Sequence, residues 1–261
     1  MAVAPPLLVA APTITPARYG LVSAADLVVE PNPHVRNGIE FETNPTGAAK
    51  LSRTECGQDT TNEFDTGVGM VEAGPISVYE GFTCSAIGLS EDEILDRARR
   101  ALSAGEWAAV EKAVWDTAEL RLMRPDTQVL TTDPVPLVKG VALLEDVLSG
   151  EYGGVGVLHT PRGVAAFAAE RRQIESESGR KVTTLGTRWS FGNYPNTAQD
   201  GTLAAVDTAW IVATGAVQVR RTDVSYRNVT DVRGGDRYAI AERTYVVSWE
   251  SVTAAALVTL T

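Results

Sequence analysis

The sequence is short of the residues that most often carry local chemistry. It has two cysteines, Cys56 and Cys84, and two histidines, His34 and His159. Without CxxC spacing the cysteines build neither a disulfide framework nor a zinc ribbon, and no local Cys/His cluster has zinc-ligand spacing. Both thiols are expected to be free, as suits a reducing compartment. Lysine is scarce too: Lys50, Lys112, Lys139 and Lys181 are the only four among 23 basic residues. The formal net charge is −10, from 23 Lys and Arg against 33 Asp and Glu. The densest basic runs, Arg97–Arg100 and Arg171–Arg172, are interleaved with acids. Gripping nucleic acid from outside needs clustered Lys and Arg, so that class of function is excluded. Apolar runs such as Ala254–Val258 fall far short of a bilayer span. The first eleven residues contain Pro5 and Pro6 and no basic stretch, so no signal peptide is expected and the default compartment is the cytoplasm. GxSxG, P-loop, GxGxxG and HExxH motifs are all missing.

What is present is an ordinary folded composition. The chain has 261 residues, is 44% hydrophobic, and carries 23 Gly and 13 Pro. That length buries a sizeable core without staples, and the composition excludes collagen-like, coiled-coil and wholly disordered chains.

The chain reads in pieces. Residues 1–36 contain Pro5, Pro6, Pro12, Pro16, Pro31 and Pro33 and read as an extended arm, with one short helix near Ser23–Leu27. Residues 37–86 hold eight acids against Lys50 and Arg53, and so −6 of the total charge. Alternating stretches at Ile39–Glu42 and Val78–Glu80 flank a polar middle, Thr54–Gly69, which predicts two strands around a long loop. Loops of that length inside a compact domain usually serve function or a partner.

Residues 89–121 form the clearest element. Ser90 and Glu93 make a capping box, Leu89 and Ile94 the matching hydrophobic staple, and Glu91 and Asp92 suit the helix dipole. Apolar residues recur from Ile94 through Trp107 and Trp115 to Ala118 at helical spacing, with Arg97, Arg100, Glu106, Glu111 and Lys112 assigned to the opposite, polar face. At 1.5 Å per residue such a helix runs about 45 Å and serves as a spine.

Residues 126–222 alternate. The pattern predicts a helix over Leu137–Leu148 stopping at Gly150, a buried strand at Val155–Leu158, and a helix started by Thr160 and Pro161 and reaching about Glu175. Strands are expected at Lys181–Leu185, Ala209–Ala213 and Val217–Arg221, an α/β region with a mixed sheet. Tyr238–Trp249 and Val252–Leu260 read as closing strands, after a loop containing Gly234 and Gly235.

Candidate sites do not add up to a catalytic set. Gly153–Gly156 precedes a strand, whereas a phosphate cradle opens a helix, so backbone crowding at a turn explains it better. His159 ends a strand where α/β enzymes place active residues, yet it stands alone. The acids Glu91–Glu93, Glu145 and Asp146 read as solvated helix faces. Cys84 reads as a buried apolar residue, and Trp107 and Trp115 as core anchors. No catalytic, cofactor-binding or metal residue is assigned, and the chain is not expected to be an enzyme.

The order of elements carries the signal. Arm, acidic loop, spine helix, α/β region and returning strands resemble the HK97-like major capsid proteins of tailed bacteriophages. Ala241–Val247 is similar to that family's C-terminal strand, and Thr187–Asn193 with Trp210–Gly215 resembles structural proteins of phages infecting actinobacteria. The resemblance spans nearly the whole chain. It implies an α+β HK97-like capsid fold: N-terminal arm 1–36, extended loop (E-loop) 37–86, P-domain 87–125 and 223–261, and A-domain 126–222. It further implies hexamers and pentamers of a closed icosahedral shell in a virion, assembled in the host cytoplasm. Scaffold and portal proteins would be partners, double-stranded DNA would be packaged without sequence-specific binding, and no membrane or cofactor would be involved. Some members crosslink a loop Lys to a P-domain Asn, for which Lys50 and Asn228 would be the pair here. Encapsulin nanocompartments share the fold. A decoration or tail-tube protein fits the long helix poorly, and an α/β enzyme using His159 is the remaining alternative.

Overall fold

The computed structural model describes residues 7, 9, 12–44, 46, 47, 49, 50, 67–85, 89–230, 236–250 and 252–261. Cys56, Gly234, Gly235 and residues 54–66 of the polar loop lie outside the described residues. In chain order the elements are α1 (Leu21–Ala24), β1 (Asp26–Val29), β2 (Ile39–Glu42), β3 (Met70–Ala73), β4 (Pro75–Ser85), α2 (Glu91–Asp116), β5 (Gln128–Val129), β6 (Val135–Pro136) and α3 (Leu137–Val147). There follow β7 (Val157–Pro161), α4 (Val164–Glu170), β8 (Glu175–Glu177), β9 (Arg180–Val182), β10 (Arg188–Gly192), β11 (Thr208–Thr214), β12 (Val217–Arg221), β13 (Ser225–Thr230), β14 (Asp236–Trp249) and β15 (Thr253–Thr259).

The spine, α2, starts where its capping chemistry dictates. The Glu93 N–H donates to Ser90 Oγ at 3.3 Å and the Ser90 N–H donates back to Glu93 Oε2 at 2.8 Å. The helix runs 26 residues, through Gly105 without a break, and ends at Asp116, short of the expected Arg121. Leu122 and Met123 then fold back to donate to the carbonyls of Val114 and Trp115, satisfying acceptors the helix end leaves open. One face, Ile94, Ala98 and Leu102, packs on Ala239 and Ala241 of β14.

β14 organises the first sheet. One edge pairs antiparallel with β4 along Asp236–Val246; the other pairs with β13 and then with β12, which carries β1 in parallel at the margin. The second sheet runs β5-β15-β11-β7-β10-β9-β8, with β6 also on β15. α3 covers β15 closely: a Cβ on Gly140 would sit 2.3 Å from Val258 Cγ1. A third, two-stranded sheet pairs β2 with β3.

Several local expectations change. The acidic loop is flanked by a hairpin, but Ile39–Glu42 pairs with Met70–Ala73, while Val78–Glu80 belongs to β4 and the long ribbon with β14. Residues 20–36 are not a loose arm. Leu21, Ala24, Ala25 and Val35 are buried in the subunit's own core, the helix falls at Leu21–Ala24, and Leu27–Val29 is strand because β12 offers it a hydrogen-bonding edge. Thr160 and Pro161 cap no helix; both lie in β7, with the Thr160 hydroxyl donating to the Trp210 carbonyl at 3.0 Å. The helix after them spans only Val164–Glu170, and Glu175–Glu177 is strand. α3 ends in a π turn over Leu148–Tyr152, closed by Gly153 at φ +73°, so Gly150 is not its stop. A Cβ on Gly156 would meet the Thr214 carbonyl oxygen at 2.4 Å, which is the crowding that requires glycine there.

Trp115 is fully buried, its indole N–H donates to the Thr197 carbonyl at 3.1 Å, and its ring lies 5.3 Å from that of Tyr194. Trp107 is half-buried, edge-on to Tyr245 at 5.1 Å. Trp115→Ala should therefore cost about 3–5 kcal/mol in denaturant unfolding, and Trp107→Ala clearly less; equal losses would mean that the spine's inward face is misassigned.

Candidate assembly surfaces and the joint beneath them

Two acids expected on the solvated face of the spine are buried instead. Glu106 is 8% and Glu111 6% exposed. Glu106 accepts the Tyr245 hydroxyl at 2.7 Å and the Arg243 guanidinium at 2.9 Å, locking the spine onto β14. Burial is the first cause that raises the Tyr245 phenol to about 12. Glu111 accepts the Leu21 N–H at 2.9 Å through one oxygen and the Asn193 N–H at 2.6 Å through the other. Burial pushes its carboxyl above the usual range, against the lowering effect of those two bonds and of Arg162. The spacing contained this signal: Ile94, Ala98, Leu102, Glu106, Val110 and Val114 form one row at four-residue intervals. Residue type outweighed position in assigning Glu106 to solvent. Glu145 is likewise not free; it takes the hydroxyls of Thr183 and Thr187, both at 2.6 Å. Glu91 and Asp92 are exposed at the helix start as expected, and the Glu93 carboxyl is lowered by its bonds to Ser90.

His159 lies in the middle of β7, not at a strand end as expected, with 0% exposure. One ring nitrogen meets the Tyr194 hydroxyl and the other the Thr214 hydroxyl, both at 3.0 Å, and Tyr194 in turn meets Ser190 at 2.7 Å. All the ring's hydrogen-bonding capacity is used inside the core, where no substrate reaches it. Burial lowers its pKa from 6.5 to about 3, so the folded state holds it neutral. A depressed folded pKa means that the unfolded chain binds the proton first. Stability from this group is complete above pH 6.5 and drains away as pH falls towards 3. The slope is about 1.4 kcal/mol per pH unit. Comparing the pH dependence of denaturant stability for the wild type and His159→Gln should isolate that slope; identical profiles would mean that the imidazole is not buried neutral.

The remaining features face outward. Leu7, Val9 and Ile14 on the arm are 86%, 70% and 70% exposed, and Val68 and Met70 are exposed at the β2–β3 hairpin. In that hairpin Glu40 stands directly opposite Glu72, a like-charge pair that weakens it in isolation. Just past its loop-side end the hairpin is tied to the body, where the Asn44 amide donates to Glu250. Arm residues Pro12–Pro16 and the spine enclose a cleft of about 490 Å³, floored by Phe82, Ala101 and Ala104. Arg97 lies over the Phe82 ring at 5.5 Å, Arg100 pairs with Asp96 at 3.1 Å, and Lys112 is exposed further along. The Asn228 amide, on β13, donates to Glu91 at the spine's start. Cys84 is a free thiol, half-buried on β4 where it packs at the edge of the spine's cluster. Among the described residues no His/Cys/Asp/Glu group could hold a metal ion, and no helix is long and apolar enough to cross a membrane.

No family model and no curated protein sequence matches the chain. Solved structures do. The SrpI encapsulin of Synechococcus elongatus PCC 7942 is similar over 98% of this chain and 93% of its own, with a TM-score of 0.60 at 12% identity. The capsid of an empty GTA particle is similar over 98% and 95%, with a TM-score of 0.57 at 10% identity. The capsid of Ralstonia phage GP4 covers the same shares, with a TM-score of 0.54 at 8% identity. Such identities speak to architecture, and the likeness runs from one end of the chain to the other: the protein has the HK97-like fold, the α+β architecture of phage capsids and encapsulin shells.

Proposed function

We propose that the chain is a major capsid protein that assembles with copies of itself into a closed shell around a phage genome. The observation that carries this reading is end-to-end similarity to capsid subunits, 98% of this chain against 95% of theirs, with no large insertion left over for another activity. The exposed apolar arm and the weak acidic hairpin support it, because both are surfaces that gain most from a neighbouring copy. In this reading the acidic loop of one subunit lies across the spine of the next, where Arg97, Arg100 and Lys112 supply counter-charge. Scaffold and portal proteins would act during assembly in the host cytoplasm. Double-stranded DNA would be confined by a wall that, at net charge −10, does not trap it. The second reading, an encapsulin compartment, is favoured by the 0.60 TM-score to the SrpI shell; particles filled with protein instead of nucleic acid would decide for it.

Electron microscopy of particles made by the expressed chain, or of virions, is the direct test, and a stable monomer under all assembly conditions would refute the proposal. Exposed charge pairs contribute roughly 0–1 kcal/mol each and are screened by salt. Arg97→Glu combined with Arg100→Glu should therefore lower shell yield in sedimentation strongly while lowering the subunit's melting temperature only slightly, since the pairs lost within the subunit are exposed. Raising salt in the wild type should act in the same direction. Unassembled subunits should be cut by protease within residues 54–69, and shells should resist; equal cleavage in both would remove the loop from the interface.

A further inference from the structure

The β2–β3 hairpin has two unlike faces, because residues paired across it share a side. On the inner face Ile39, Val71 and Ala73 meet the core. On the outer face Glu40 stands opposite Glu72 and Glu42 opposite Met70, all four exposed. Met70 is 53% exposed, and Val68, two residues before it, 62%. Neither strand carries a basic residue. The hairpin thus presents three carboxylates and two apolar side chains that nothing in the subunit covers.

The cleft beside the spine is the complement of that surface. Phe82, Ala101 and Ala104 floor it, and Arg97 and Arg100 are the only charged residues among its described lining. Arg97 spends one N–H on the Glu93 carbonyl, and Arg100 its Nε–H on Asp96. A guanidinium has five donors, so both keep some for a further carboxylate. The two surfaces cannot meet within one subunit. Phe82 pairs with Ala239, whereas the hairpin is tied beside Glu250 through Asn44. Between them β14 runs from Ala239 to Trp249, about 33 Å at the usual rise of a strand.

We infer that the hairpin of one subunit docks into this cleft on a second copy. Val68 and Met70 rest on Phe82, Ala101 and Ala104, and Glu42 pairs with Arg97 or Arg100. The guanidinium groups also offset the repulsion between Glu40 and Glu72 that weakens the hairpin in a free subunit. The inference rests on the proposed shell and gives it a defined contact.

Oxidation of the wild type by hydrogen peroxide, read by mass spectrometry, tests it without any substitution. Met70 should be oxidised readily in free subunits and protected in assembled particles, while Met123, 2% exposed, stays protected in both. Equal oxidation of Met70 in the two states would overturn the docking. Met70→Cys with Ala101→Cys, in a chain whose Cys56 and Cys84 are replaced by serine, then identifies the partner surface. A disulfide needs Cα atoms within about 7 Å. Particles should therefore give a ladder of linked subunits on a non-reducing gel, and dilute free subunits none. Met70→Cys with Lys112→Cys, about 16 Å further along the spine, should give no ladder in either state. Particles that protect Met70 but show no ladder with Ala101→Cys would mean that another segment fills the cleft. That result would overturn the inference and leave the shell standing. A wild type that forms no particles would remove the shell reading, and the inference with it.

Discussion

The contact on which the rest of the molecule depends is the seat of the spine helix on β14. In a protein most of a helix's stability comes from packing its apolar face, so this 26-residue helix is held by the stripe that it buries. β14 supplies the surface through Ala239 and Ala241, small residues that let the helix approach closely. Glu106, Arg243 and Tyr245 then fix position along the strand. A buried carboxylate deprived of its guanidinium is costly, so these three groups tolerate only one register. β14 in turn carries β4 on one edge and β13 and β12 on the other, so setting the helix sets the whole sheet.

The second sheet is attached to this frame by polar groups as much as by apolar ones. Trp115, near the end of the spine, reaches Thr197 and packs at a tilt against Tyr194, and Tyr194 bonds His159 and Ser190 inside the sheet. Each polar atom in that chain has a partner, which makes the core specific as well as stable. The histidine that stood out as a catalytic candidate belongs to this network and serves it as a hydroxyl-binding ring.

Against that well-packed body, the periphery is unfinished. The arm before Arg18 exposes Ile14, the β2–β3 hairpin opposes two glutamates, and the cleft beside Phe82 is lined by arginines. Surfaces of this kind are poor in a monomer and useful between copies. The same division suits a subunit that must fold alone and then be completed by neighbours.

Much of this was legible in the sequence because it depends on local rules. The capping box at Ser90, the helical stripe that follows, the β-branched runs of β12, β14 and β15, and the burial of Trp115 all arise from residues near one another in the chain. The order of these elements was enough to suggest the fold. The β2 partner, the strand character of Leu27–Val29, the place of Thr160 and Pro161 in β7, and the burial of Glu106, Glu111 and Glu145 were decided elsewhere. Each depends on a partner far along the chain: β12 for β1, Trp210 for Thr160, Arg243 for Glu106, Leu21 for Glu111. Periodicity states which face of a helix a residue occupies. Whether a carboxylate on that face is excluded or welcomed depends on the donors that the tertiary structure brings to it, and hydrogen bonds across 90 or 137 residues leave no trace in local spacing.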